Sequence, residues 1–338
     1  MGIEAAIRDA GYQMRSLRSL GRDGQIQASL RVDGFRRTAG GELISLPRGD
    51  LAAAIYAAIE HDVETIFDDS ITAINEHADG VRVSFAQGKT RDFDLVIGAD
   101  GLHSNVRRLA FAPEPVGERY LGCLVAACVV DGYRPRDELI YVTHSLPGRQ
   151  VGRFALRDDR TMFLFIFRSD QPCDPGELPA RKALLRREFA DAAWECPQIL
   201  AALDGVDDLY FDVVSQIHLN RWSHGRTALV GDAAACVSFL AGEGTGLAIS
   251  EAYALAGELL RARGDYRRAF DLYEARLRPF VEARQASAQR FISFFATRTG
   301  LGIWLRNLVM RSMNFPPLAD LLLTRSLRDD LELPDYPM

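Results

Sequence analysis

The chain has 338 residues, 48% of them hydrophobic and 25% charged, enough to bury one large core or two adjoining ones. A formal net charge of -6 at pH 7, with no lysine- or arginine-rich run to reverse it, argues against nucleic acid as the main partner. The five cysteines, Cys123, Cys128, Cys173, Cys196 and Cys236, are odd in number and scattered, with no C-x-x-C pair, which speaks against a disulfide framework or a metal site and for reduced thiols in a cytoplasmic protein.

The N-terminal MGIEAAIRDAGYQM has neither the apolar core of a signal peptide nor the uninterrupted stretch of a membrane span. In PRGDLAAAIYAAI, proline and a capping-type aspartate precede an apolar-periodic run, which predicts a helix over residues 51–61 with Arg48 at its entrance. Residues 65–67, 70–77 and 81–86 alternate as short strands, with a hairpin at Asp79-Gly80. Residues 93–97 form a continuous apolar run of the kind expected of a strand buried on both faces.

Beyond Arg107 the pattern becomes β-rich. Residues 123–131, 139–144, 151–156 and 161–169, separated by turn signals, predict an antiparallel sheet. Phe163, Phe165 and Phe167 fall at period two and share one face, either as plain core or as a wall for an aromatic substrate. Residues 180–202 read as a helix with Trp194 and Leu200 on the buried side, followed by returning strands at 209–219 and 227–230. Long helices are predicted over 247–263 and 266–297. The apolar stretch 291–310 is interrupted by Arg298, Arg306 and two glycines, so it suits a helix packed on the protein body, or one lying on a membrane surface, better than a membrane span. The polar, proline-bearing tail LRDDLELPDYPM is expected to be a surface extension.

Two glycine- and aspartate-marked turns carry the chemistry. In DLVIGADGLHSNVR (94–107) a strand delivers Asp100 to a sharp turn, where Gly101 permits close backbone approach and Ser104 can cap the next helix. In ALVGDAAACVSFLAGEGTGLAISEA (228–252) a strand ends at Gly231-Asp232, whose carboxylate can accept hydrogen bonds from sugar or ribityl hydroxyls. Gly242, Gly244, Thr245 and Gly246 then open a helix whose free N–H groups can stabilise negative charge. No nucleophile–base pair, G-x-S-x-G elbow or G-K-[ST] loop competes with these turns. Of the six histidines only His103 lies beside one.

Together with Arg48 in LPRGDL, these segments resemble the DG and GD motifs of the class A flavoprotein monooxygenases, the family of para-hydroxybenzoate hydroxylase, over nearly the whole chain. The resemblance implies an α/β fold: an FAD/NAD(P)-binding Rossmann-like parallel sheet, incomplete at the N-terminus, with an antiparallel β substrate domain and C-terminal helices. It divides the chain into a partial FAD-binding domain (1–110), a substrate domain (111–220) and the remainder of the FAD-binding domain with the C-terminal helices (221–338). It implies FAD as cofactor, held by Arg48, Asp100, Gly101, Gly231, Asp232, Gly242, Gly244, Thr245 and Gly246, with Arg48 on the pyrophosphate or ribityl chain. NADPH or NADH would reduce the flavin and molecular oxygen would be transferred to an aromatic or polyketide-like substrate. A cytoplasmic monomer or homodimer is expected, without metal, and no catalytic side chain is singled out.

The sequence also departs from the family. Ala235 and the stretch Val237-Ser238-Phe239 stand where members have histidine and a flavin-flanking proline, Gly246 replaces an asparagine, and Glu251 an aspartate. The G-x-G-x-x-G unit that would precede this region is not in the sequence. Either the protein starts further upstream, or the chain is a remnant or non-catalytic module that holds no flavin.

Overall fold

The structure is a computed structural model that describes residues 2–32, 44–112, 117–315 and 331–336. Helix α1 (Glu4–Ala10) precedes a hairpin of β1 (Ser16–Leu20) and β2 (Ile26–Arg31), and α2 (Arg48–Ala57) starts directly after Pro47. Strands β3 (Ile71–His77), β4 (Gly80–Phe85), β5 (Thr90–Phe93) and β6 (Val96–Gly98) lead to the short α3 (Asn105–Ala110). Four longer strands follow, β7 (Gly117–Asp131), β8 (Ile140–Leu146), β9 (Arg149–Ala155) and β10 (Arg160–Arg168), then α4 (Leu178–Glu188) and α5 (Cys196–Ala202). The chain ends with β11 (Tyr210–His218), β12 (Ser223–His224), β13 (Thr227–Leu229), α6 (Asp232–Ala235), α7 (Gly244–Arg261), α8 (Tyr266–Phe295) and α9 (Gly300–Ser312). It divides into two compact units: Met1–Thr65 with Gly122–Val213 and Ser293–Asp329, and Ile66–Leu121 with Val214–Ile292 and Asp330–Met338.

The first unit is built on a seven-stranded sheet of order β11-β7-β10-β9-β8-β1-β2. The predicted antiparallel run is present in β7 to β10. The β1–β2 hairpin joins its edge because β1 pairs in parallel with β8, Leu17 opposite Tyr141, a contact that no local pattern announces. Phe163, Phe165 and Phe167 are at most 1% exposed. Their rings meet Tyr133 and Phe189 edge-on at 4.8 to 6.0 Å. The stripe is therefore core, and the reading of it as a substrate wall is corrected. The helix expected over 180–202 breaks between α4 and α5, where Trp194 takes a φ of 61° and Pro197 starts a new helix. Leu185, Phe189 and Ile199 fill the core there, while Trp194 and Leu200 are only half-buried.

The second unit holds an antiparallel sheet, β3-β4-β5, and a small sheet of order β12-β13-β6, in which β13 and β6 are parallel. Its core gathers Val81, Val83, Trp222, Ala228, Leu229, Leu255, Phe270 and Tyr273. Two strand expectations fail here. The run 93–97 bends at Asp94 and Leu95, and Ile97 is 41% exposed. Among the described residues β6 pairs only with β13, so burial on both faces is not achieved. Residues 65–67 form no strand, and Phe67 is exposed. No helix among the described residues is long and apolar enough to cross a membrane.

The tail is not a surface extension over 331–336. Tyr336 is 4% exposed, its hydroxyl donates to Glu258 Oε1 at 2.7 Å, and its ring lies 5.2 Å from that of Tyr253. The Arg261 guanidinium covers the ring at 4.3 Å. The seat exists because residue 257 is glycine: a Cβ there would lie 2.3 Å from the tyrosine ring. Removing the ring with Tyr336→Ala is expected to cost about 3 kcal/mol in urea unfolding. Gly257→Ala should also destabilise, but should cost almost nothing in the Tyr336→Ala background. Simple additivity of the two would show that the ring does not sit on this glycine.

Candidate cofactor site

Strands β6 and β13 run side by side, Gly98 opposite Leu229, and Val230 N donates to Gly98 O at 2.9 Å. Both therefore release the chain at the same sheet edge, each into a glycine turn and then a helix. Gly101 and Gly231 have φ of 80° and 62°, values that glycine reaches without strain. On the first turn Ser104 caps α3 as expected, accepting from Arg107 N at 3.0 Å and donating to Asp100 Oδ1. Asp100 Oδ2 accepts from Val106 N at 2.9 Å. Asp100 thus directs both oxygens to its own turn, and it is Gly101 that leaves the backbone accessible.

Arg107 links the two turns. It is 4% exposed and donates from Nη2 to Leu102 O at 2.6 Å and from Nη1 to Ala233 O at 2.9 Å. Burial lowers its pKa, yet the guanidinium has no ion pair among the described residues, so its charge is directed into carbonyl dipoles. The sequence contains it as the last letter of the DG segment, without a role. Its type and position were the available signal, since of the two adjacent arginines of α3 the one next to Val106 is buried and must find acceptors.

The second turn is held from α7. Glu251 is 1% exposed, and its Oε2 accepts from Gly231 N. The Tyr273 hydroxyl, 3.4 Å from the same oxygen, donates to Leu229 O at 3.0 Å. Burial pushes the Glu251 carboxyl up to about 8, with the nearby Asp232 charge acting in the same direction. Sequence reasoning registered Glu251 only as a departure. It is the one charged residue between Glu243 and Glu258, a pattern that marks a buried acid with a structural task.

Asp232 is half-buried and makes no hydrogen bond or ion pair among the described residues. The start of α7 lies beside it: a Cβ on Gly244 would be 3.5 Å from Asp232 Oδ1. Gly242, with a φ of 71°, turns the chain into this helix, and Thr245 and Gly246 are exposed in its first turn, where N–H groups have no intrahelical acceptor. An unpartnered carboxylate beside free amides fits a ligand that carries hydroxyl donors and an electron-rich edge. The second unit thus brings together Asp100, Gly101, Gly231, Asp232, Gly242, Gly244, Thr245 and Gly246, whereas Arg48 is the exposed first residue of α2 in the first unit. Of the departures, Ala235, Val237, Ser238 and Glu251 are buried, Phe239 is half-exposed and Gly246 is exposed.

Replacing Arg107 with Met should cost about 3 kcal/mol, since two charge-assisted hydrogen bonds go and two carbonyls lose their donor. Lysine, with one ammonium, should not restore both; urea midpoints test this. Glu251 keeps its proton in the folded chain to about pH 8, while the unfolded chain releases it near the ordinary carboxylate value. Unfolding therefore releases a proton between those values, and stability conferred by the neutral acid declines as pH rises toward 8. The stability of Glu251→Gln relative to the parent chain should accordingly increase from pH 5 to pH 8. A difference independent of pH would mean that Glu251 is ionised in the fold.

The profile of the FAD binding domain matches residues 1–288. An uncharacterized protein of Mycobacterium tuberculosis is 39% identical over 291 residues, 84% of this chain and 77% of that protein. A flavin-dependent monooxygenase of Legionella longbeachae is 36% identical over 263 residues, 75% of this chain and 64% of its own length. The crystal structure of the tetracycline destructase Tet(55) superposes with a TM-score of 0.83 at 30% identity, covering 99% of this chain and 84% of the other. With the family profile spanning most of the chain and the two turns in place, the chain belongs to the FAD binding domain family of the flavin-dependent monooxygenases.

Proposed function

We propose that this chain serves an NAD(P)H-dependent hydroxylation of an aromatic or polyketide-like small molecule, using molecular oxygen, in the cytoplasm and as a monomer or homodimer. The observation that carries the reading is the half-buried Asp232 carboxylate, without a partner among the described residues, beside the open first turn of α7. FAD bound there supplies hydride acceptance and oxygen activation. Asp232 would accept hydrogen bonds from its hydroxyls, and the amides of Gly244, Thr245 and Gly246 would stabilise negative charge on it. Gly101 and Gly231 let the backbone approach the cofactor, while Arg107 and Glu251 keep the two turns in register. Arg48 is proposed for the phosphates, an assignment resting on the motif alone.

The proposed division of labour assigns 1–110 and 221–338 to the cofactor and 111–220 to the substrate. Because the aromatic stripe is buried against α4, the opposite face of the sheet, with half-buried Met162 and Leu164, is the apolar wall we assign to a substrate. A tetracycline destructase among the similar structures supports a fused-ring substrate class.

The test is the visible spectrum of the purified chain after incubation with FAD and desalting, repeated with any in-frame upstream extension. A retained flavin spectrum, bleached anaerobically by NADPH or NADH and restored by air, is the expected outcome. Asp232→Ala should weaken FAD binding by about tenfold or more, from the loss of charge-assisted hydrogen bonds. Flavin retention by neither form would overturn the proposal and leave a non-catalytic remnant as the better account.

A further inference from the structure

Helix α9 is amphipathic in the inverted sense for a helix packed on a protein body. Its polar side faces the sheet of the first unit. Buried Arg306 donates to Ser145 Oγ at 3.0 Å, to Ser19 Oγ at 3.2 Å and to Phe294 O at 3.2 Å, and Asn307 Nδ2 donates to Gln27 Oε1 at 3.1 Å. On the same side Arg311 Nε donates to Gln27 O at 2.6 Å, and Met310 packs against Ala28 and Leu30.

The apolar side faces solvent. Leu301, Trp304, Leu305, Leu308 and Val309 follow the i, i+3, i+4, i+7, i+8 spacing of one helix face and are 46% to 68% exposed. Single exposed apolar side chains are ordinary, but a contiguous stripe of this kind marks an interaction surface. At 13 residues, about 20 Å, α9 is too short to span a hydrocarbon core of about 30 Å, so a membrane could take it only lying flat.

Charge selects what the stripe meets. Between Glu282 and Asp320 the sequence contains five arginines and no aspartate or glutamate. Arg306 is buried and Arg284 is held by Glu243, whereas Arg298 and Arg311 are exposed at the two ends of α9 and neither makes an ion pair among the described residues. A second copy of the chain is a poor match. Two-fold pairing of antiparallel α9 helices would set Arg298 of each copy near Arg311 of the other, with no acid on the helix to relieve the repulsion. An acid-free apolar stripe with an arginine at each end fits an anionic lipid surface instead, where leucine and tryptophan enter the acyl boundary and guanidinium groups meet phosphates.

We propose that α9 attaches the chain peripherally to a bilayer surface rich in anionic phospholipid, with the Leu301-to-Val309 stripe inserted and Arg298 and Arg311 on the headgroups. The attachment is independent of the flavin reading, and its test needs no flavin. The purified chain is mixed with vesicles of equal parts phosphatidylglycerol and phosphatidylcholine, or of phosphatidylcholine alone, and bound protein is separated by flotation.

Binding to the anionic vesicles about tenfold or more tighter than to the neutral ones is expected. Arg298→Gln should weaken it by about fivefold. Leu305→Glu combined with Leu308→Glu should abolish it, and because both positions are exposed, circular dichroism should show the fold retained. Phospholipids brominated in the acyl chain should quench tryptophan fluorescence in the parent chain. Trp304→Phe should bind equally well with little quenching, since Trp222 is buried and Trp194 packs against His144 on the other face of the sheet. Equal binding to neutral vesicles, binding that survives the two glutamates, or quenching that persists in Trp304→Phe would overturn the proposal. So would a parent chain that binds no vesicles; a dimer that the glutamates dissociate would then assign the stripe to a second copy of the chain.

Discussion

The arrangement of the second unit depends on one buried guanidinium that has no ion-pair partner among the described residues. Arg107 binds the carbonyls of Leu102 and Ala233, which belong to turns more than 120 residues apart in sequence, and so converts two adjacent strand ends into one rigid edge. An ion pair would have been the obvious alternative, but a carboxylate placed there would compete with Asp232 for whatever ligand the edge receives. Carbonyl dipoles take up Nη1 and Nη2, with Nε left without a partner among the described residues, while leaving that acid unspent. Glu251 supplies the complementary restraint from α7: largely neutral below about pH 8, it holds Gly231 N without placing a second full negative charge beside Asp232. The site is thus fixed by two charge-economical contacts, and its one unpaired acid is available because the other groups are satisfied elsewhere.

The first unit shows how the same chain treats buried arginines when carboxylates are at hand. Arg153, as buried as Arg107, is held by Glu195 at 2.8 Å and Asp137 at 2.7 Å, with Trp194 beside it. Arg306, a few strands away on the opposite face of the same sheet, has serine, asparagine and carbonyl oxygens only. Desolvation lowers its pKa to about 10, still far enough above neutrality to keep the charge. The contrast separates a buried arginine held by carboxylates from one held, among the described residues, by neutral acceptors alone.

The two motif turns were legible because they are local. Strand, glycine, aspartate, cap and helix follow one another within a dozen residues, and each letter has a steric or hydrogen-bonding reason at its own position. The antiparallel run β7 to β10 was legible for the same reason, since turn chemistry sets each pairing with its sequence neighbour. What could not be read depends on partners far along the chain. Strand β1 is defined by β8, more than 120 residues later. Tyr336 is buried only because Gly257 leaves room for its ring. The exposure of Ile97 follows from which strands flank β6, and the period-two phenylalanines could not report which face of the sheet meets α4.

The departures from the family pattern acquire a physical meaning once their burial is known. Ala233, Ala234 and Ala235 are packed with almost no exposure, and Val237 and Ser238 continue into the same core, with Ser238 Oγ accepting from Leu240 N at 3.2 Å. A change of side chain at these positions alters how the turn is supported more than what it offers to a ligand. What it offers is mostly backbone: the glycines at 101, 231, 244 and 246 and the amides opening α7. Backbone geometry survives substitution of its supports as long as the supports still fit, and here Glu251 supplies that support through Gly231 N.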